Sequence, residues 1–517
     1  MKNQKRMIAL LAALAVAFSM TACGGSSDGG AQESTQSADS AAKDDTVVCA
    51  LIAEPDRLDP QETTNHRSRQ VDVNIYESLL KQADDGSIEG LLAESWEASD
   101  DNLTYTFHLR QGVKFHNGEE LKASDVVFSF ERGMESSYVQ QFFPNVESVE
   151  APDDMTVVVT LSAPVSFFET LMTLPQTAIV SQKAVEEAGE DFGRNPVGTG
   201  PYRFDNWVSG SSIYLKAFPD YWQGEAAIAN CEYRIITDST TGIIALQNGE
   251  VDFFYELAAT EKQTCDDDPN LTYEEGAGTS YEHIVINNEN EKLKDVNLRK
   301  ALAYATDKES IITVATNGSG VMADSQVAPD MALYCEDVKG YPFDIETAKE
   351  YMAKSNYPDG VTLTLQVNSG YREDIAQVLQ ANYAEIGVTL EIEVLEFNTV
   401  TANLMNGDYE LTLIGRNLHM TNPILGIDNN FNSAYVGVDG NYQRYADPEV
   451  DEWLSELYAE PDEGRQQELM ENILTALHDD VANIPLYWSA WSIAYNNSLQ
   501  NVVYKADSYY QMYDFAW

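Results

Sequence analysis

Hydrophobic and polar residues alternate along several short segments, which is the pattern of strands with one buried face. In 104–110, apolar or aromatic side chains take every second position and polar ones the rest, and 157–161 repeats this pattern. Between them, Ser124 stands where it can cap a helix over 125–132, with an aspartate in the first turn, where a carboxylate is favoured. The pattern predicts strand, helix, strand.

The strongest pattern lies in the second half of the chain. Residues 361–367 alternate as a strand, and apolar residues then recur at helical spacing over 372–386. Gly387 follows, where a helix C-cap is expected, and 388–394 alternates again. A strand, a helix and a strand joined by short loops predict a βαβ crossover, hence a parallel sheet and an α/β fold.

Two further helices are predicted near the C-terminus. Asp447-Pro448 is typical of an N-cap followed by the first helical residue, and apolar residues continue the helix to 457. A second helical pattern spans 469–481. The length of 517 residues indicates two to four domains. Because the body contains no long linker, we expect these domains to pack together as lobes.

The N-terminus has the pattern of a targeting segment. Basic residues precede an uncharged, mostly apolar run at 7–19, which is short for a membrane span and typical of a signal peptide. Small residues before Cys23 resemble a lipoprotein processing site, where the cysteine becomes lipidated; the alternative is an ordinary signal peptide and a chance cysteine. The following segment has no aliphatic side chain larger than alanine. We expect a signal peptide over 1–22, a flexible tether over 23–46, and a lipid-anchored protein on the extracytoplasmic face of the membrane.

Charge excludes one class of partner. Lysine and arginine number 31 against 84 aspartate and glutamate residues, which gives a net charge of −53. Nucleic-acid binding needs clustered basic residues, so we expect no nucleic-acid partner. A hydrophobic content of 44% is ample for folded cores. Pairing all four cysteines of the body could occur in three ways, and the sequence does not choose among them; they are Cys49, Cys231, Cys265 and Cys335. We expect either buried thiols or one structural disulfide.

A search for catalytic motifs finds little. The chain has no phosphate-binding loop, no dinucleotide-binding glycine motif and no zinc-protease motif. A Ser-x-x-Lys motif occurs at 78–81, but its companion motifs are missing and the apolar residues around it favour an amphipathic helix. Six histidines occur, with no short-range metal pair. The sequence therefore predicts a protein that is not an enzyme and that needs no cofactor or resident metal.

A series of short motifs follows in a fixed order along the body. They are Leu58-Asp59-Pro60, Tyr76-Glu77-Ser78-Leu79, Leu92-Ala93-Glu94-Ser95-Trp96, Thr104 to Arg110, Gly112 to Gly118, Asp125 to Ser129, Gly198 to Tyr202, Pro219-Asp220-Tyr221-Trp222 and Leu298 to Asp307. In this order they resemble the family 5 extracellular solute-binding proteins of ABC importers, the peptide and nickel type. The resemblance extends from about residue 47 to the C-terminus.

The resemblance implies a two-lobed clamshell of the periplasmic-binding-protein type with an extra domain attached to lobe I. The implied segments are 47–87, 198–280 and 487–517 for lobe I, 88–197 for the extra domain and 281–486 for lobe II. It implies a monomeric lipoprotein that captures an oligopeptide or peptide-like solute and delivers it to permease subunits. The alternatives are a receptor for a nickel chelate or another non-peptide zwitterion and, more remotely, a secreted hydrolase on the same scaffold.

In many peptide-binding relatives, lobe II carries Trp-x-x-Asp-x-x-Asp-Pro, whose first aspartate receives the peptide ammonium. The matching stretch here begins with Arg416 and places His419 on that aspartate. Because either cation would repel an ammonium, the resemblance predicts Arg416 and His419 as contacts for an anionic or chelating ligand, with His419 a metal donor if the cargo is a chelate; a surface turn is the alternative. Arg372 is the candidate for a carboxylate contact, or else lies exposed in a first helical turn.

Two other segments are predicted to contribute to the ligand site. In relatives, the loop after the first strand lines the ligand, so His66 and Arg67 are predicted contacts here. Trp488 and Trp491, near the return to lobe I, either stack on the ligand or pack the hinge. The strongly negative body would attract cations, although salt screens this field within about 10 Å.

Overall fold

The computed structural model of the protein describes residues 45–83, 86–418, 422–437, 440–505 and 507–517. The predicted signal peptide, Cys23 and nearly all of the predicted tether therefore lie outside the described residues. Within those ranges, no helix combines the length and the apolar composition needed to cross a membrane.

Strands and helices are interleaved along the described chain, as the sequence pattern predicts. The strands are β1 (Thr46–Leu51), β2 (Leu80–Gln82), β3 (Ile88–Gly90), β4 (Ala93–Ala98), β5 (Thr104–Leu109), β6 (Val146–Asp153), β7 (Thr156–Leu161), β8 (Tyr202–Val208), β9 (Ser212–Ala217), β10 (Asn230–Ile235), β11 (Phe253–Tyr255), β12 (Leu271–Ile286), β13 (Gly320–Met322), β14 (Val361–Asn368), β15 (Val388–Leu395), β16 (Leu411–Asn417) and β17 (Asn483–Asn496).

The α-helices are α1 (His66–Asp72), α2 (Ala123–Glu135), α3 (Phe168–Leu171), α4 (Gln182–Ala188), α5 (Ser239–Gln247), α6 (Lys262–Asp266), α7 (Val296–Tyr304), α8 (Lys308–Thr316), α9 (Ile345–Lys354), α10 (Tyr371–Ala384), α11 (Phe397–Asn406), α12 (Ile424–Phe431), α13 (Pro448–Ala459) and α14 (Glu463–Asp479). Short 3-10 turns span Gln140–Phe142, Pro175–Thr177, Gly189–Arg194, Ala259–Glu261, Ser433–Tyr435 and Met512–Asp514.

One large mixed sheet has the strand order β15-β14-β16-β12-β17-β11-β1-β10-β9-β8, with β13 beside β17. We call β15, β14 and β16 the β15 side of this sheet, and β11, β1, β10, β9 and β8 its β1 side. A separate four-stranded sheet, which we call the small sheet, has the order β4-β5-β7-β6, and β2 and β3 form a hairpin. The predicted βαβ unit is confirmed, because β14 and β15 pair in parallel with Val361 opposite Val388.

The long strands β12 and β17 connect the two sides of the large sheet. They pair antiparallel from Leu271 opposite Asn496 to Val285 opposite Asn483, with a break in register between Ala277 and Tyr281. On one side of the break β17 borders β11, and on the other β12 borders β16. The break therefore lies at the crossing between the two sides.

Gly278 lies at this break, and no other residue fits there without a shift of its neighbours. A Cβ atom at this position would lie 1.9 Å from the indole ring of Trp491. Real Cβ contacts are never so close, so the glycine is what allows the indole to lie across the strand.

Separate hydrophobic clusters pack against the two sides of the large sheet and against the small sheet. One lies under the β15 side and includes Leu363 and Leu379, and another lies under the β1 side and includes Tyr233. A third joins the small sheet to helices α13 and α14. At this junction the ring of Phe167 meets that of Tyr458 edge to face at 5.0 Å.

Three local predictions need correction or are resolved. Ser124 does not cap α2: the helix begins two residues earlier than predicted, at Ala123, and the N–H of Lys122 donates to the Asp125 carboxylate at 3.1 Å. The segment 78–81 is not helical, because it leads into β2, where backbone pairing with β3 outweighs the local apolar pattern. The four described cysteines are buried and free, which settles the choice in favour of buried thiols. The predicted domain boundaries stay a prediction.

Candidate ligand-binding site

A cavity of about 290 Å³, which we call the cleft cavity, is built from five parts of the fold. The start of α1, the segment after α2 beside the small sheet, the turn Pro175–Thr177, the end of β16 with α12, and the C-terminal tail each supply side chains. The wall residues are Thr64, His66, Arg69, Ser137, Tyr138, Gln141, Phe142, Gln176, Arg416, Asn417, Leu418, Leu425, Gly426, Asn429, Asn430 and Tyr509. The cavity thus receives groups from both sides of the large sheet.

His66 is held in the wall by two aromatic rings. It is the first residue of α1, and the Asn65 side chain caps this helix by accepting from the N–H of Arg67 at 2.8 Å. The imidazole stacks on Trp491 at 4.7 Å between centroids, and its Nδ1 lies 3.1 Å from the hydroxyl of Tyr509. The structure therefore places His66 in the wall of the cleft cavity, and its predicted contact with a ligand stays a prediction.

Arg67 turns away from the cleft cavity and pairs with Glu256. Its guanidinium lies 2.6 Å from that carboxylate, and both side chains are largely buried. Burial raises the pKa of Glu256 to about 7, although Arg67 opposes this shift. Arg67 is not among the described wall residues, so its place in the fold is that of an ion-pair partner beneath the site.

Arg69, one helical turn after His66, is a wall residue that the sequence did not indicate. Its guanidinium donates to the carbonyl oxygens of Pro60 at 3.1 Å and Thr63 at 2.6 Å. Burial lowers the pKa of Arg69. These contacts fix the loop after β1 against the helix, and the residue brings a buried positive charge to the wall.

Arg416 lies near the end of β16, opposite Tyr281. Its guanidinium donates to the carbonyl of Gly440 and lies 4.2 Å from the centroid of the Tyr442 ring. It is part of the cavity wall, and its predicted contact with a ligand stays a prediction. His419 lies outside the described residues, so its predicted role stays a prediction.

The two tryptophans occupy the crossing strand β17. Trp488 is fully buried and packs on Tyr281 at 5.0 Å, which favours the packing alternative. Trp491 stacks on His66 and is not among the described wall residues of the cleft cavity.

Arg372 is neither exposed nor available as a carboxylate receptor. Its guanidinium forms a two-point ion pair with Glu282, at 2.7 and 2.9 Å. It also donates to Asn368 at 2.8 Å. The buried Glu282 therefore takes the place that a ligand carboxylate was expected to fill.

The charge of the described wall is opposite to that of the whole protein. Among the described wall residues, arginine and histidine are present but aspartate and glutamate are not. Several amides complete the polar lining, and the Oε1 of Gln176, a 2% exposed residue, has no hydrogen-bond partner in the described structure. Sequence reasoning missed Tyr138, Gln176 and Asn429 because only folding brings these distant segments to the cavity. We know of no signal in a single sequence that would have found them.

Comparison with known proteins gives a consistent picture. The model of the bacterial extracellular solute-binding proteins, family 5 (middle part), matches residues 87–437. The glutathione-binding protein GsiB of Salmonella typhimurium is 31% identical over 362 residues, which cover 69% of this chain and 70% of GsiB.

Solved structures show the same fold over nearly the whole described chain. HbpA2 from Haemophilus parasuis superposes with a TM-score of 0.84 at 26% identity, over 91% of this chain and 99% of HbpA2. The oligopeptide-binding protein AppA from Bacillus subtilis, in complex with a nonapeptide, gives a TM-score of 0.74 at 26% identity, over 91% of this chain and 98% of AppA.

Proposed function

Because this chain belongs to the family 5 bacterial extracellular solute-binding proteins, which serve ABC importers and are not enzymes, we propose that it captures a peptide or peptide-like solute in the cleft cavity and delivers it intact to a membrane permease. The observation that carries this proposal is the composition of the cavity wall. Arg69 and Tyr509 reach it from the β1 side, and Arg416 and Asn429 from the β15 side. A solute that contacts all of them links the two sides.

Capture in such a cavity works by shifting a conformational equilibrium. A ligand that contacts both sides favours the closed form by the difference between its affinities for the closed and open forms. A shift from 1:99 to 99:1 takes about 5.5 kcal/mol of that difference. In our proposal the β1 side is lobe I, the small sheet belongs to the extra domain and the β15 side is lobe II, with the hinge at the break in β12.

The wall chemistry supports a solute that carries at least one carboxylate. Guanidinium groups bind carboxylates with paired, charge-assisted hydrogen bonds, and the described wall supplies Arg416 and the buried charge of Arg69. Peptides have such a carboxylate and amide groups that the asparagine and glutamine side chains can bind. The relatives agree in class, because GsiB is named for glutathione and AppA was solved with a nonapeptide.

We propose His66, Arg416 and His419 as direct ligand contacts. Arg67, Trp488 and Trp491 would hold these contacts in place from beneath, through the ion pair and ring packing described above. This division of roles predicts that variants of the first group change affinity, whereas variants of the second group change stability as well.

We also propose that the protein is anchored by a lipid on Cys23 and that the glycine- and serine-rich segment after it acts as a tether on the extracytoplasmic face. The support is the pattern of the sequence alone: an apolar run, small residues and a cysteine. A Cys23→Ser variant should be released from the membrane fraction of the producing cell. Retention of that variant in the membrane would contradict the proposal.

The proposed ligand class is tested by calorimetry on the protein stripped of bound solute, after native mass spectrometry has identified what co-purifies. Glutathione and short acidic peptides should bind, and their C-terminally amidated forms should bind at least tenfold more weakly. Arg416→Met should cause a similar loss for the free acids, whereas Arg465→Met, a matched variant on the distant helix α14, should not.

Three outcomes would overturn the proposal. Equal binding of acids and amides would remove the carboxylate as the recognised group. Tighter binding of nickel with histidine than of any peptide would favour the metal-chelate alternative. Chemical conversion of the bound solute during incubation would favour a hydrolase.

A further inference from the structure

A second cavity, of about 460 Å³, is built around the end of α1, the strand β2 and the C-terminal tail. We call it the tail cavity. It shares Tyr509 with the cleft cavity and no other described wall residue. Whatever it binds would therefore be distinct from the solute in the cleft.

Asp72, the last residue of α1, forms part of its wall. This residue is 1% exposed, and neither carboxylate oxygen has a hydrogen-bond partner in the described structure. Arg69, one turn earlier, does not supply the missing donor, because its guanidinium is engaged by the carbonyls of Pro60 and Thr63. Burial raises the pKa of Asp72, and the nearby charge of Arg69 opposes this shift. A buried carboxyl group without a hydrogen-bond partner is costly, so this part of the wall lacks a donor.

Other carboxyl groups line the tail cavity. Glu77 accepts from the Tyr221 hydroxyl at 2.9 Å and from the Trp222 indole, and Asp507 accepts from the backbone N–H of Tyr509 at 3.0 Å. Two lysines, Lys81 and Lys505, also line the tail cavity. Because Lys81 is already paired with Glu89 at 3.0 Å, the lysines balance the carboxyl groups of the wall only in part.

Aromatic rings complete the wall. Tyr76, Tyr221, Tyr509 and Tyr513 all line the tail cavity, and Tyr221 meets Tyr513 edge to face at 5.1 Å. Aromatic faces attract organic cations, most strongly where water is excluded. In the part of the chain that the structure describes, no group of three or more acidic, histidine or cysteine side chains could hold a metal ion. The chemistry of the wall therefore fits an ammonium compound better than a metal.

We propose that the tail cavity binds a compact organic ammonium ion, with the charged nitrogen donating to Asp72 and the alkyl part packed among the tyrosine rings. The ammonium supplies the donor that the folded chain does not give Asp72. Its charge offsets the acidic wall, and the rings cover its apolar atoms. This inference does not depend on the nature of the solute in the cleft.

The test uses the mature protein, n-butylammonium chloride and its neutral counterpart n-butanol, in calorimetry at constant ionic strength. We expect saturable one-to-one binding of n-butylammonium and none of n-butanol. Tetramethylammonium, which has no N–H donor, should bind more weakly than n-butylammonium. Asp72→Asn should weaken n-butylammonium binding at least tenfold, whereas Glu187→Gln, which removes an exposed charge on α4, should leave it unchanged.

A second pair of variants locates the site and guards against misfolding of the first. Tyr513→Ala, in the tail cavity, should weaken n-butylammonium binding, whereas Gln176→Ala, in the cleft cavity, should not. Circular dichroism checks that each variant is folded. The proposal is overturned if n-butylammonium does not bind, if n-butanol binds equally, if magnesium binds in its place, or if a folded Asp72→Asn or Tyr513→Ala protein keeps the original affinity.

Discussion

The guanidinium of Arg132 donates two hydrogen bonds to the carboxylate of Asp59, at 2.9 and 2.6 Å. Asp59 belongs to the loop after β1, and Arg132 lies in the last turn of α2 beside the small sheet. The two side chains are 5% and 17% exposed, so the pair is largely removed from water. Gln61 joins the same guanidinium at 2.9 Å. The pair therefore fastens α2 to the loop after β1.

Arg132→Met should therefore destabilise the protein. Removal of one partner leaves a buried charge uncompensated, which typically costs about 3 kcal/mol. Chemical denaturation of the wild type and the variant measures this difference. Lys183→Met is the control, because its pair with Glu119 is about half exposed and should contribute much less to stability. Equal losses in the two variants would contradict this interpretation.

Glu77 should make stability depend on pH. Burial raises the pKa of this carboxyl from 4.5 to about 7. Between these values the folded protein holds a proton that the unfolded chain releases, so the free energy of unfolding falls as pH rises from about 4.5 to 7, by about 3 kcal/mol at most.

Glu77→Gln removes the titratable carboxyl group, so the stability of this variant should increase relative to that of the wild type as pH rises. Urea denaturation at pH 5, 6, 7 and 8 measures the trend, with Glu187→Gln on the protein surface as the control. Stability curves of Glu77→Gln and wild type that run parallel over this range would show that Glu77 does not titrate as its burial implies.

Gly278→Ala should disturb the crossing of β12 and β17. The new Cβ would require the Trp491 indole to move, and overpacking of this kind typically costs about 1–3 kcal/mol. Gly320→Ala is a matched control, because its nearest neighbour would be 3.4 Å away. Thermal unfolding separates the two, and tryptophan fluorescence should change only in Gly278→Ala. A fully stable Gly278→Ala variant would refute the packing argument.

Tyr458→Ala should weaken solute binding although Tyr458 is not in the described wall of the cleft cavity. Its ring contact with Phe167 joins α13 to the segment that follows β7 of the small sheet, and such contacts contribute about 1 kcal/mol. If the contact forms only on closure, its loss lowers the closed population and hence the affinity by roughly fivefold. Calorimetry with the co-purifying solute measures the effect, and Phe397→Ala, an exposed aromatic on α11, is the control. Unchanged affinity would mean that the contact persists in the open form.

Regular elements with strong periodicity were predictable from the sequence. The strand at 104–110 is β5, and the βαβ unit appears as β14, α10 and β15 within two residues of the predicted bounds. Asp447 caps α13 as expected, by accepting from the N–H of Glu449 at 2.8 Å. These features are determined by residues that are close together in the sequence, so a local sequence pattern can predict them.

Features that depend on distant partners were not predictable in the same way. Ser78 and its neighbours look helical in isolation, but pairing with β3 makes them lead into a strand. Arg372 looked available for a ligand, and only folding shows that Glu282, 90 residues away, engages it. The cleft cavity shows both cases: Arg416 matched a motif position and His66 lay in a loop implied by the resemblance, whereas Gln176 reached the wall through packing alone.

The free state of Cys49, Cys231, Cys265 and Cys335 bears on how this protein matures after export. Burial raises the pKa of all four thiols, which keeps them protonated and unreactive. Because no disulfide joins these four cysteines, their maturation needs no thiol oxidase and no disulfide isomerase. The receptor can therefore reach its working state equally well in aerated and in anoxic surroundings.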